Sequence, residues 1–170
     1  MRAKAQKTKS QEWTVCLEGT PMGSLLLSFT PNGLAALDFA VEGCKIPSGA
    51  APPLNLATLI ESVKKELAKY FSGQLVDFHA LPLDLQGTPF QQKVWRELRR
   101  IPRGRTISYK ELARRAGSPQ AFRAAGQANA VNPIPIIVPC HRVIAADGSL
   151  GGYSSGIERK EWLLKHEGAM

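Results

Sequence analysis

Cysteine is scarce in this chain of 170 residues: Cys16, Cys44 and Cys140 are an odd number, far apart, with no CxxC pair. That spacing excludes a disulfide framework and points to a reducing, cytoplasmic setting. Long apolar runs are missing too. The longest, such as Leu25–Leu27 and Ile134–Val138, fall far short of the ~20 residues a membrane span needs. The first ten residues are basic but lack an apolar stretch, so they do not read as a secretory signal. No internal repeat is visible. With 44% hydrophobic and 21% charged residues, the composition is that of a soluble globular chain, long enough for one full core or two small ones.

Acidic residues are what the second half lacks. Residues 1–87 carry eight Lys/Arg against eight Asp/Glu, whereas residues 88–170 carry fourteen against six, so the whole net charge of +8 lies there. Between Lys93 and Arg123 only Glu97 and Glu111 oppose ten basic side chains. A charge block confined to one region suits a polyanion, nucleic acid first, and equally suits a solvated basic surface.

The patterning predicts an α/β (α+β) protein in two parts behind a flexible basic tail at residues 1–10. In residues 11–86, alternation at Trp13, Val15 and Leu17 marks a strand. A second run over Gly23–Thr30, a turn at Pro31-Asn32-Gly33 and a third run over Leu34–Phe39 complete a small antiparallel sheet. Gly43–Pro53 reads as a loop. A helix follows, capped by Asn55, with Leu56, Leu59, Ile60, Val63, Leu67 and Tyr70 at a 3.6-residue period and Gly73 beyond its end. A short strand is expected at Leu81–Leu85.

Residues 87–170 open with Thr88-Pro89, an N-cap followed by proline, and a helix with Val94, Trp95 and Leu98 on one face. Ser108 and Glu111 have capping-box spacing for a short helix that Gly117 stops. Ser118-Pro119 then starts another helix through about Ala128. Two short helices joined by Gly-Ser-Pro are either a DNA-binding helix-turn-helix or an ordinary helical corner. Val143-Ile144, an Asp147-Gly148 turn and Leu150–Tyr153 form the hairpin of a wing. Glu158–His166 is a last amphipathic helix, with Trp162 and Leu163 on its apolar side.

Cys140 stands between Pro139 and His141, after an apolar run read as a buried strand. Such a cysteine is often a small core residue. Here Pro139 halts regular pairing, and His141 and Arg142 place a base and a fixed cation beside the sulfur, which suits an activated nucleophile. Glu167 is either the group that orients His141 or a solvated carboxylate at a helix end.

Pro139-Cys140-His141-Arg142-Val143, preceded by Asn132-Pro133-Ile134-Pro135, resembles the active-site signature of the O6-alkylguanine-DNA alkyltransferases, the methylated-DNA–protein-cysteine methyltransferases. Thr88-Pro89-Phe90-Gln91, Val94-Trp95, Ile107-Ser108-Tyr109, Arg123 before Gly126, Gly152-Tyr153-Ser154 and Lys160–Gly168 resemble family segments in the same order. The resemblance covers residues 86–168. It implies a winged helix-turn-helix domain and direct-reversal DNA repair, in which the alkyl group on guanine O6 moves once to Cys140, without a cofactor. His141 would take the thiol proton through a water, Glu167 would hold His141, and Asn132 would fix the turn.

Tyr109 would hydrogen-bond guanine N3, and the Ser154 N–H would serve O6. The carbonyls of Cys140 and Val143 would read the exocyclic amine, with Pro135 and Tyr153 also lining the base. Gln91, Lys110, Ser118, Arg123, Gly126 and Ala146 would contact double-stranded DNA in its minor groove. Arg123 would fill the stack vacated by a flipped base. The implied partner is duplex DNA bearing O6-alkylguanine. The protein would be a monomer or cooperative along DNA, in the cytoplasm and on the nucleoid if bacterial. Phe122 and Ser155 depart from the family's small residue and glycine. Cys16, Cys44 and His79 are too few for the zinc site some eukaryotic relatives have, so no metal is expected. The alternatives are a lesion-recognition module without chemistry, whose relatives lack the acceptor cysteine, and a thiol hydrolase using Cys140, His141 and Glu167.

Overall fold

The computed structural model describes residues 12–40 and 51–170; the expected tail at 1–10 and most of the expected loop at 43–53, with Cys44, lie outside them. Three strands, β1 (Trp13–Thr20), β2 (Gly23–Thr30) and β3 (Gly33–Phe39), pair antiparallel in that order. Every second residue of β2 is buried: Leu25, Leu27 and Phe29 lie flat against the core. Period-two burial of this kind fixes the register, since a one-residue slip would turn all three leucine and phenylalanine side chains to water. The 81–85 segment contributes a single parallel bridge, Leu83 to Leu34, and no regular strand.

Helix α1 (Leu54–Phe71) buries Leu56, Ile60, Val63, Leu67 and Tyr70, the face its period predicts. Its start is set by Pro53, whose carbonyl accepts from the Leu56 and Ala57 amides at 2.9 Å. Asn55 is inside the first turn, two residues past the cap position.

Helix α2 (Pro89–Arg99) has the full capping box: Thr88 Oγ1 accepts from the Gln91 amide, and Gln91 Oε1 accepts from the Thr88 amide at 2.8 Å. It buries Val94, Trp95 and Leu98, and the Trp95 indole donates to the Ala128 carbonyl at 2.8 Å. That bond ties α2 to α4 (Phe122–Ala130). Between them α3 (Tyr109–Arg115) is capped by Ser108 Oγ. Only half of the expected capping box forms, because the Glu111 carboxylate turns outward to Arg114 and Arg115.

Two expectations fail here. Residues 118–121 form a turn, closed by the Ala121 amide on the Ser118 carbonyl, so the fourth helix begins at Phe122 rather than at Pro119. The hairpin over 143–153 does not form. Strand β5 (Val143–Ile144) pairs in parallel with β4 (Ile107–Ser108), and 150–153 has no strand. The buried Lys160 of α5 (Ile157–His166) donates to the carbonyls of both Val143 and Leu150, so the ammonium replaces the amides a hairpin would supply. The wing is a loop around the Asp147 turn, where Asp147 Oδ1 accepts from the Ser149 amide.

The two halves share one core and are laced by directional bonds. The Leu37 amide of β3 donates to the Pro133 carbonyl at 2.9 Å. Arg99 donates to the carbonyls of Phe78 and His79, and Arg103 to those of Gln74 and His166.

Candidate active site

The segment before Cys140 is not the expected strand. Residues 131–139 fold into successive turns whose apolar side chains, Ile134 and Ile136 to Val138, are buried. Ile136 has φ of +73°, the one non-glycine residue with positive φ among the described residues. A β-branched side chain there stores roughly 1–3 kcal/mol of strain, which the surroundings must hold. Asn132 supplies much of the restraint: its Oδ1 accepts from the Ile134 amide at 3.1 Å and its Nδ2 donates to the Val138 carbonyl at 2.7 Å. The chain therefore arrives at a short 3-10 turn, Cys140–Arg142, with its direction fixed.

Cys140 is 2% exposed and His141 fully buried. His141 Nε2 lies 3.0 Å from Glu167 Oε1. A carboxylate can only accept, so Nε2 carries the hydrogen and Nδ1 presents a lone pair. That Nδ1 is buried and has no hydrogen-bond partner among the described residues. Burial holds His141 below the ordinary imidazole value against the pull of Glu167, so the ring is a neutral base ready to accept one proton. Burial also pushes the Cys140 thiol up, opposed by Asn132, Tyr153 and the Lys160 ammonium.

Glu167 is a member of this centre and not a solvated helix end. Its carboxylate takes Arg142 Nε at 2.8 Å on Oε2, and Arg142 Nη2 at 2.9 Å and the Tyr70 hydroxyl at 2.7 Å on Oε1. Burial opposes its charge, but the bonds from His141 and Arg142 win and hold it well below the usual carboxylate range. The guanidinium that the sequence places beside the sulfur is thus turned onto Glu167 and the Ile101 carbonyl. The cation whose field reaches the thiol is Lys160, itself lowered by burial to about 8.

The remaining expected residues divide into two groups. Tyr109 is half-buried, its pKa raised by burial and by the neighbouring Cys140. Its ring passes between Gly126 and Gly151: a Cβ on Gly151 would come within 3.3 Å of the hydroxyl, and one on Gly126 within 3.6 Å of the ring. Tyr153 is close enough to Cys140 for burial and the sulfur together to raise its hydroxyl well above the ordinary value.

Pro135, Ser154 and Asn132 line a cleft of about 360 Å³ together with Leu37, Asp38 and Phe39 of β3. Arg159 closes one side, stacking 4.6 Å over Phe39 and donating to the Ser155 carbonyl. The Cys140 carbonyl already accepts from Asn129 Nδ2 and from the Val143 amide, and the Val143 carbonyl accepts from Lys160 Nζ. A second cleft of about 390 Å³, among Phe78, Arg99, Arg103, Pro139 and Arg142, touches none of the expected residues.

The second group is peripheral. Lys110, Arg123 and Ala146 are exposed, and Ser118 is half-buried in the turn between α3 and α4. Gln91 is half-buried and spends its carboxamide oxygen on the capping box. Gly126 is packed on Tyr109. Among the described residues no three His, Cys, Asp or Glu gather to hold a metal ion, and no helix is long and apolar enough to cross a membrane.

Sequence reasoning missed Tyr70, Asn129 and Lys160. A signal for Lys160 existed: residues 160, 163, 164 and 167 form the buried stripe of the last helix and its cap, so two charges occupy core positions.

Two family models match the chain. The 6-O-methylguanine DNA methyltransferase ribonuclease-like domain covers residues 17–85, and the DNA binding domain of the same family covers 89–169. A methylated-DNA–protein-cysteine methyltransferase of Methanosarcina barkeri is 46% identical over 87% of this chain and 92% of its own. One from Mycobacterium leprae is 46% identical over 87% and 88%. Among solved structures, the O6-methylguanine methyltransferase of Mycobacterium tuberculosis is 39% identical, covers 94% of each chain and has a TM-score of 0.78. A structure of Mycobacterium tuberculosis OGT in complex with DNA gives 40% identity over 93% and 92%, with a TM-score of 0.76.

Proposed function

The chain belongs to the 6-O-methylguanine DNA methyltransferase family, and from that membership we propose a role for each group around Cys140. The protein repairs DNA by direct reversal, transferring the alkyl group from O6 of guanine to a cysteine of its own. Cys140 is that cysteine. Its sulfur forms the bond to the alkyl carbon as the bond to O6 breaks, in line, and the thiol proton passes through a bridging water to His141 Nδ1.

The observation that carries this reading is the buried Nδ1 lone pair, fixed by the Nε2–H bond to Glu167. A base whose free nitrogen is dictated by its other hydrogen bond is what general-base catalysis requires. Glu167 and Asn132 position His141 and the turn. Tyr109 donates to guanine N3 as negative charge develops on the leaving base. Pro135, Val143, Tyr153 and the Ser154 N–H surround the base in the cleft beside β3.

Cys140 is too enclosed to reach a base inside a duplex, which supports a flipped target. Gln91, Lys110, Ser118, Arg123, Gly126 and Ala146 contact the DNA around it, with Arg123 in the vacated stack and the small residues of α4 allowing close approach in the minor groove. Residues 11–86 and 87–170 serve as the two units, and the matched family models meet at that boundary. The product is a thioether with no second thiol placed to resolve it among the described residues, so one protein serves one lesion. The unpaired thiols Cys16 and Cys140 support a cytoplasmic setting.

The test is intact-mass analysis after mixing the protein with a duplex carrying one O6-methylguanine. The expected result is a gain of one methylene, saturating at one per protein and mapping to Cys140. Cys140→Ala should take up no alkyl group and retain its affinity for DNA. Methylation at another residue, or an unmodified protein that still binds the lesion, overturns the assignment. The latter outcome would favour a lesion-recognition module.

A further inference from the structure

The geometry points to Tyr70 as a positioning residue for alkyl transfer, reaching from α1 to set how much charge Glu167 presents to His141. This inference rests on the assignment of Cys140, His141 and Glu167 above. Tyr70 and Glu167 are 97 residues apart in sequence, yet the tyrosine hydroxyl donates to Oε1 at 2.7 Å. That is the same oxygen that holds His141 Nε2, at 3.0 Å.

A core tyrosine needs some acceptor, and many would serve. This one is aimed by several restraints at once. Its ring is 2% exposed and packs on Phe71, Phe78 and His166. The Arg103 guanidinium stands 5.5 Å from the ring centroid. His166 Nε2 donates to the Tyr70 carbonyl at 2.7 Å, which fixes the last turn of α1 against the end of α5. The hydroxyl therefore has one orientation and remains a neutral donor throughout the working pH range, since burial and Glu167 both oppose its ionisation.

Oε1 then serves three donors: Tyr70, Arg142 and His141. Each donor draws charge from the carboxylate, and what the first two take is not available to stabilise an imidazolium. Tyr70 thus keeps His141 neutral and the Cys140 thiol protonated while the site is empty, which reserves proton transfer for the moment a substrate is in line. The N-terminal half, through Tyr70, becomes part of the acceptor centre.

Tyr70→Phe removes only the hydroxyl and is the variant to measure. The groups facing the pair are Arg142 and Cys140 on the 3-10 turn, Lys160 and His166 on α5, Arg103 on the loop after α2, and Tyr153 on the loop before α5. Lys160, lowered by burial to about 8, lies on the alkaline side of the limb to be read, and His166 places a second imidazole against the Tyr70 ring. The rate constant for attack on free O6-benzylguanine is therefore followed from about pH 5 to 9 in the parent, in Tyr70→Phe, and in both again with His166→Gln.

The midpoint of the acid limb is expected to move up by about half a unit to one unit in Tyr70→Phe, with the same displacement in the His166→Gln background. The ¹⁵N shifts of His141 should report a matching rise in its pKa. A limb that keeps its midpoint while the plateau falls would make Tyr70 a purely structural residue and overturn the inference. So would a displacement that vanishes with His166→Gln. A parent protein that transfers no alkyl group would instead refute the assignment of Cys140, and the His141 titration would still decide the role of Tyr70.

Discussion

The acceptor centre and the helix pair α3–α4 hold much of the chain's chemistry, and they treat charge in opposite ways. Around Cys140 the ionisable groups His141, Arg142, Lys160 and Glu167 are buried and bonded. On α3 and α4, Lys110, Arg114, Arg115 and Arg123 are exposed, and the pairs that Arg114 and Arg115 make with Glu111 are ordinary surface pairs. Exposed pairs contribute ~0–1 kcal/mol, whereas breaking a buried pair leaves an uncompensated charge and costs ~3–5 kcal/mol. Substitutions in the first region should therefore damage folding and chemistry together. In the second they should damage DNA handling and spare both.

Glu167→Gln is the most severe break of that contrast. It keeps the shape but leaves Arg142 without its anion, and the loss of stability should be about 3–5 kcal/mol in urea unfolding at neutral pH. The pH dependence has a defined sign. The folded-state pKa of Glu167 lies well below its ordinary value of 4.5. The stabilisation is therefore complete above that ordinary value and is lost as pH falls from there through the folded one. The parent should weaken steeply over that acid interval, and Glu167→Gln should show a flatter acid limb. An unchanged urea midpoint in the variant would mean the buried network carries no net stability.

How much of each region was legible follows from the range of the interactions that build it. Local signals held: the β2 alternation, the α1 stripe ending at Tyr70 and the Thr88 N-cap followed by Pro89 are all formed. The motif at 139–143 pointed to Cys140 and His141 from neighbours in sequence. What the sequence concealed is long-range. Nothing near Tyr70 signals a bond to a residue 97 positions away. Nothing near Arg142 shows that it turns from the sulfur to Glu167. The missing hairpin at 143–153 has the same origin, since Lys160 arrives from another element to take the carbonyls a local reading assigns to strand pairing. On the exposed helices, the start of α4 was misjudged because Pro119 suits a turn as well as a first helical position.

Arg123→Ala sharpens the comparison on the surface side. The residue is exposed near the start of α4, with its guanidinium 5.9 Å from the Phe122 ring and no hydrogen bond to the centre. Its expected work is done on the duplex, where unstacking costs a few kcal/mol. Repair of O6-methylguanine in duplex DNA should slow by roughly ten- to a hundredfold. Attack on free O6-benzylguanine should change less than twofold, and the urea midpoint should not move. Equal loss on both substrates would place Arg123 in the chemistry instead.

The smallest expected effect is also the cleanest measure of the surface. Lys110 is exposed at the start of α3 and forms no ion pair among the described residues. A lysine that only neutralises a phosphate should release about one counterion when DNA binds. Log K against log salt should then lose about 0.9 from its slope in Lys110→Ala, with a similar loss of affinity on every DNA sequence. Alkyl transfer to the free base should be untouched, because no buried group depends on this ammonium. If Lys110→Ala altered the transfer rate while leaving the salt slope intact, the division between a buried chemical centre and an exposed electrostatic surface would fail at its simplest point. The excess of basic residues after residue 88 would then need a reading other than counterion release.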